Sequence, residues 1–475
     1  MDAHGVNKEM GMRKRLLTTH HLLLAAVFLA VMAGPLFAAE KNKGEQAAAD
    51  LAIYLKEAAE NNASLKAAYH RFQAALEKIP QEKYLPDPRV SFGYFIEPVE
   101  TRVGPQRARI GLSQTFPWIG KLLAKGDQAA KAADAEKARF DALRLSIFYE
   151  VKKTYFEYAY LLRAIDVTRD NLNLLDYLES VLQARYANGL SSYSDLLSVQ
   201  NERAKLEDRA LALEDFKTAL AAALNAAMNR DPGVPLPDRP DVPVMEAKLS
   251  DEDLLGRMKT ANPSLRVFDS LAGKERIGAA LAKMDFIPDL TFGVETIITG
   301  QYDYYIARPD SSGNPTQGSP PPRDSGKDAW IASLSLNIPL WVGKRTAAIR
   351  EARARELAAV KDREGLEKKL GAQIKLALYK YRDAQRKIEL YQKTLIPRGE
   401  QALSAALMAY HAGKASYSDL IGAQRALLEF ELNHVRALTD QAQLLAELEM
   451  LVGDDVSHEI YGSLLSLTRY QGPIK

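Results

Sequence analysis

The sequence predicts a mainly α-helical chain with a small β part, built as two internal repeats of one plan. Three observations predict it. The stretch Tyr186-Ala-Asn-Gly-Leu-Ser-Ser-Tyr-Ser-Asp-Leu-Leu197 returns as Tyr410-His-Ala-Gly-Lys-Ala-Ser-Tyr-Ser-Asp-Leu-Ile421, and Gln200 and Gln424 each follow three residues later. Two very long stretches, 121–188 and 344–411, have few helix breakers and precede these copies. Two pairs of short segments place apolar residues at every second position, the period of a strand with one apolar face.

Composition narrows the classes further. The 475 residues hold 63 basic and 61 acidic side chains, a balance that gives no reason to expect a nucleic-acid partner. The absence of cysteine excludes disulfides, thiolate metal sites, a cysteine nucleophile and a lipid-modified cysteine. The seven histidines form no paired-ligand spacing, and Ser and Asp repeated at a helix start are a capping pattern. No catalytic constellation, metal site or cofactor motif is expected.

At the N-terminus, Arg13-Lys-Arg15 precedes an apolar run from Leu22 to Ala33, small residues reach Ala39, and charge resumes at Glu40. That order makes residues 1–39 a secretory signal peptide. The apolar run is shorter than the roughly 20 residues a membrane-spanning helix needs. No later stretch is long and apolar enough either, so a membrane crossing would have to be made by strands.

The first repeat, 40–240, begins with a helix over about 50–84 that ends at Leu85-Pro-Asp-Pro88. Two strands follow within about 89–114, linked through Pro98, Gly104 and Pro105. In the helix 121–188, Phe140, Leu143, Ile147, Val151, Thr154, Tyr158, Leu161 and Ile165 form a coiled-coil seam. At 1.5 Å per residue it would reach about 100 Å, too long for a globular domain. Gly189 suits the C′ position of this helix and Ser192 the N-cap of the next, about 192–230. The second repeat, 241–453, holds helices at about 249–286, 344–411 and 416–452, and strands at about 289–300 and 328–338. Asn262-Pro-Ser-Leu265 echoes Asn62-Ala-Ser-Leu65, and Pro339-Leu-Trp-Val-Gly-Lys344 varies Pro117-Trp-Ile-Gly-Lys121. A kink is expected near Pro397. Residues 454–475 form a C-terminal tail. Each Tyr…Ser-Tyr-Ser-Asp copy is thus the tip of a tight αα-hairpin. The helices 50–84 and 192–230, end to end, nearly match the length of the long helix. Four strands are too few to close a membrane barrel, whose smallest examples need about eight, so their edges demand further copies.

With this order given twice, the chain resembles the TolC-like outer-membrane efflux proteins over roughly Ala47 to Gly453. The most specific marks are the two Gly-x-x-Ser-Tyr-Ser-Asp-Leu tips and the Pro-x-x-Gly-Lys strand-to-helix junctions. The segments Pro98-Val-Glu-Thr-Arg-Val-Gly-Pro-Gln106 and Gln114-Thr-Phe-Pro-Trp118 look like members linked to heavy-metal efflux. The resemblance implies a homotrimer with one 12-stranded barrel in the outer-membrane lipid and a long periplasmic helical coiled-coil tunnel. It also implies a periplasmic adaptor protein and an inner-membrane transporter of the resistance-nodulation-division type.

On the residues alone, Asp195 and Asp419 are first-turn residues favoured by the helix dipole. The resemblance instead places Asp419 in a ring of three carboxylates lining the periplasmic aperture, where it would select cations. It also implies a closing latch from Asp195 to Tyr410 and to an arginine whose position is Ala415 here, with Lys414 beside it as the substitute. Asn188, Gly189 and Leu190, with Ala412, Gly413 and Lys414, match the tips where adaptor hairpins dock. Trp118 and Trp341, beside the strand ends, read as an interfacial aromatic girdle or the barrel neck. The function expected is the outer-membrane exit duct of a tripartite efflux system carrying metal ions or small toxic compounds. A duct for type I protein secretion would use the same fold. A periplasmic coiled-coil scaffold that never forms a pore would have no use for two apolar-faced hairpins ending in tryptophan.

Overall fold

The computed structural model describes residues 50–236, 249–301, 309–314 and 321–456. The expected signal peptide, the tail beyond 456 and parts of two loops lie outside the described residues. The helices are 50–61 (α1), α2 Ala63–Lys83, α3 Ile119–Ala187, α4 Tyr193–Ala227, α5 Asp251–Ala261, α6 Pro263–Met284, α7 Val342–Leu390, α8 Ile396–His411 and α9 Tyr417–Val452. The strands are β1 Arg89–Thr101, β2 Gly104–Phe116, β3 Leu290–Thr299 and β4 Ala329–Leu336. They belong to two compact units. One holds 141–262 and 367–456 with the first helix, and the other holds 68–140 and 263–366.

The second unit carries one antiparallel sheet in the order β1-β2-β3-β4. Register puts Val90 opposite Leu112, Leu112 opposite Val294, and Phe92 of β1 opposite Ile110 of β2, with Phe292 opposite Leu334. These side chains share one face, which is apolar and exposed: Val90 is 76%, Phe92 71% and Trp330 73% accessible. The other face is small and polar, with Ser91, Gly93, Gly111, Ser113, Thr291, Gly293 and Ser333 in line and an Arg109–Glu295 pair at 3.9 Å. A soluble sheet hides its apolar face, whereas this one shows it and, among the described residues, leaves both edge strands without partners. Pro98 lies inside β1, where the sequence suggested a link. An edge strand tolerates proline because its outward amide has no partner to lose, and the β1–β2 register shifts between Tyr94 and Val99. The turn is only Arg102-Val103. Gly104 has φ +136°, and a Cβ there would lie 1.8 Å from the Gly300 carbonyl oxygen, so only glycine fits.

Two expected helices are broken. Asn62 and Asn262 each interrupt what the sequence reads as one helix. The Asn62 side chain accepts from the Leu65 amide at 3.1 Å and donates to the Ala227 carbonyl at 3.1 Å. Asn262 donates to the Leu451 carbonyl at 2.7 Å, and Pro263 opens α6. Both asparagines therefore join a break to the C-terminal end of a neighbouring helix in their own repeat, satisfying carbonyls that a helix end leaves open. The expected kink at Pro397 takes the form of a π-helical turn, Tyr391–Leu395, between α7 and α8. Proline has no amide to return to Lys393, and a wider turn absorbs the lost bond. Helix α7 runs unbroken through Gly365 and Gly371.

In the first unit the helices pack through an apolar core. Leu175, Leu178 and Leu182 of α3 meet Leu196 and Val199 of α4, Tyr410 of α8, and Leu420 and Leu428 of α9. A polar rung crosses it, where Gln424 donates to Asn171 Oδ1 at 2.9 Å.

Candidate functional site

The paired tips have the same backbone chemistry. At the first, Gly189 has φ +71°, its amide donates to the Tyr186 carbonyl at 2.9 Å, and the Leu190 amide reaches Arg185 O at 2.8 Å. At the second, Gly413 has φ +70°, its amide donates to Tyr410 O at 3.0 Å, and the Lys414 amide reaches Ala409 O at 2.8 Å. This pair of bonds is a Schellman closure, which consumes carbonyls at the helix end and requires a left-handed residue. A Cβ on either glycine would meet nothing within 4 Å, so only backbone conformation holds these positions to glycine. Asn188, Gly189, Leu190, Ala412, Gly413 and Lys414 are all exposed.

Beyond each glycine a capping box restarts the helix. Ser192 (φ −84°, ψ 155°) accepts from the Asp195 amide at 3.1 Å, and the Asp195 carboxylate accepts from the Ser192 amide at 3.3 Å. Ser416 and Asp419 repeat both bonds at 3.2 and 3.0 Å, and the Ser416 hydroxyl donates to Asp419 Oδ2 at 2.7 Å. These bonds hold the exposed Asp419 carboxyl below the usual carboxylate range. Capping is therefore the role both aspartates have within the chain.

Within a single chain the residues of the expected latch make other contacts. Tyr410 is buried, its hydroxyl makes no hydrogen bond of full geometry among the described residues although Ser191 and Arg185 lie beside it, and burial raises its pKa. It does not bond Asp195, whose carboxylate is engaged in its own box. Lys414 is exposed, and among the described residues its side chain has no hydrogen-bond or ion-pair partner. The cation at this place is Arg185, in the last turn of α3. Its guanidinium lies over the Tyr410 ring, 4.8 Å from the centroid, and donates to the carbonyls of His411 at 3.2 Å and Leu190 at 3.4 Å. Arg185 thus bridges the carbonyl-rich ends of both tips, where the helix dipoles favour positive charge. The sequence signal for it was a basic residue in the last turn before the first tip. Its counterpart in the repeat is Ala409, so the clamp exists once per chain. The counterparts of Tyr410 and Tyr417, Tyr186 and Tyr193, are exposed and pack against each other with rings tilted by 45° and centroids 5.7 Å apart.

Trp118 and Trp341 are exposed where β2 and β4 lead into α3 and α7, and Trp330 is exposed on the apolar sheet face at the opposite end of β4 from Trp341. Trp330 was not singled out from the sequence, although its even register with Leu334 and Leu336 marks the same face. Among the described residues no three His, Cys, Asp or Glu side chains form a metal-binding group, and no helix is long and apolar enough to cross a membrane.

Comparison with known proteins follows the same two halves. The family described as Outer membrane efflux protein matches residues 54–230 and 255–454. The cobalt-zinc-cadmium resistance protein CzcC of Cupriavidus metallidurans is 21% identical over 413 residues, covering 83% of this chain and 88% of that protein. The outer membrane protein VceC of Vibrio cholerae superposes with a TM-score of 0.67 at 20% identity, over 86% of this chain and 97% of its own. The transmembrane channel CusC gives 0.67 at 15% identity, over 85% and 92%. The open-state MtrE outer membrane channel of Neisseria gonorrhoeae gives 0.66 at 18% identity, over 86% and 90%.

Proposed function

The chain belongs to the outer membrane efflux protein family, and from this we infer that three copies of it form the outer-membrane exit duct of a tripartite efflux system. It is an outer-membrane channel and not an enzyme. The observation that carries the assembled duct is the sheet, with its exposed apolar face, its small polar opposite face and its two unpaired edges. In lipid every backbone amide and carbonyl must be paired internally, so an open four-stranded sheet is untenable there. Three copies supply 12 strands and close a barrel whose polar face lines the lumen. The tips around Gly189 and Gly413 receive a periplasmic adaptor, which links the duct to an inner-membrane transporter of the resistance-nodulation-division type. The cargo is divalent metal ions, a reading supported by the similarity to CzcC. Three Asp419 carboxylates at one aperture suit that cargo, since their charge draws cations and repels anions. Deleting the gene in its native host should lower tolerance to cobalt, zinc and cadmium, and the wild-type gene should restore it. Unchanged tolerance to all three, with lost tolerance to organic toxicants, would reassign the cargo.

A further inference from the structure

The two repeats share one strand-to-helix corner, but a single chain completes it only once. In the first repeat Lys121 is the third residue of α3, and its side chain is 6% exposed. Its ammonium donates to Asp289 Oδ1 and to the Ile287 carbonyl, both at 2.7 Å. Those acceptors lie in Ile287-Pro-Asp289, immediately before β3. The counterpart of Lys121 is Lys344, the third residue of α7, and the counterpart of Asp289 is Asp87 in Leu85-Pro-Asp87, separated from β1 by Pro88 alone. Both are exposed, and among the described residues neither has an ion-pair or side-chain hydrogen-bond partner. Asp87 precedes one edge strand of the sheet and Lys344 follows the other.

Strand register gives the counterparts a common frame. In the first hairpin Arg89 faces Ser113 and Val90 faces Leu112; in the second Thr291 faces Ser335 and Phe292 faces Leu334. The two hairpins therefore superpose with Val90 on Phe292 and Leu112 on Leu334. The junction between them, β2 against β3, sets Gln114 opposite Phe292 and Leu112 opposite Val294. Writing β4 for β2 and β1 for β3 in that junction sets Leu336 opposite Val90 and Leu334 opposite Phe92. Apolar residues then meet on the face that is already apolar.

We propose that β4 of one copy pairs antiparallel with β1 of the next copy in this register, and that Lys344 binds the Asp87 carboxylate and the Leu85 carbonyl of that next copy. The proposal rests on the closed barrel read above and adds which residues make the seam. Each seam buries a lysine and an aspartate that a lone chain leaves exposed, so the ion pair forms only on assembly and opposes a slipped register.

The absence of cysteine gives a clean background for a direct test. The Val90→Cys/Leu336→Cys double variant, oxidised in isolated outer membranes, should give covalently linked chains on a non-reducing gel. Val90→Cys/Ala332→Cys, displaced by about 13 Å along the strand, should give roughly tenfold less, because a disulfide needs Cα atoms within about 7 Å. The reverse ranking would overturn the register. Asp87→Lys alone should lower the temperature at which the assembly dissociates in mild detergent, and adding Lys344→Asp should recover most of that loss. Additive losses in the double variant would overturn the ion pair. A three-chain mass without the Val90–Leu336 crosslink would refute this seam while leaving the duct intact, whereas a single-chain mass would refute the duct itself.

Discussion

Gly413→Val is expected to reduce metal tolerance to the level of the gene deletion while three-chain assemblies remain in the outer membrane. Gly413 sits at φ +70°, where a Cβ is unfavourable by about 1–2 kcal/mol and a β-branched side chain by more. The space around it is open, so no clash spreads inward. A domain with a stability of about 5–15 kcal/mol survives such a cost. The strain is relieved by losing the left-handed turn, and with it the two bonds to Tyr410 O and Ala409 O that shape the tip. An adaptor docking on that backbone loses its surface, though the barrel is untouched. Gly413→Ala should fall between wild type and Gly413→Val, and Gly189→Val should act like its counterpart. The measurement is metal tolerance beside crosslinking to the adaptor; normal adaptor crosslinking in Gly413→Val would remove the tips from the docking surface.

Arg185→Ala should loosen the closed entrance and raise the conductance of single channels in planar bilayers. Its two charge-assisted bonds to His411 O and Leu190 O contribute on the order of 1.5–3 kcal/mol in total. Stacking on the Tyr410 ring adds about 0.5–1 kcal/mol. Losing about 2 kcal/mol shifts a closed-to-open equilibrium roughly 30-fold in each chain. Tyr410→Phe should have a smaller effect than Arg185→Ala, because the hydroxyl it removes makes no full hydrogen bond among the described residues and the ring under the guanidinium remains. Asp419→Asn should act differently in the same bilayer: cation over anion preference falls while opening changes little. A conductance increase in Tyr410→Phe with none in Arg185→Ala would restore the expected tyrosine–aspartate latch and dismiss the arginine clamp.

The hairpin tips were legible because glycine C′ positions and Ser-x-x-Asp boxes are local chemistry, repeated at a fixed spacing. The strands were legible from their two-residue period, and the corner lysines from the Gly-Lys motif. The breaks at Asn62 and Asn262 were not. Both sit in strongly helical composition, and each depends on a carbonyl at the end of another helix, Ala227 or Leu451, that is far away in sequence. The clamp was missed for the same reason. The family pattern drew attention to Ala415 and Lys414, beside the tip glycine, whereas the cation lying over the Tyr410 ring, Arg185, comes from the other hairpin. Which residue fills a charge position is a matter of packing across repeats, and linear spacing cannot report it. The single polar face of the sheet follows from alternation, but the match of hairpin registers needed the paired strands themselves.

The most direct test of the whole account is the native mass of the mature protein extracted from outer membranes in mild detergent. Three chains per particle is the expected result, since four strands from each copy are what closes the barrel. A monodisperse single chain that remains soluble and folded without detergent would contradict it.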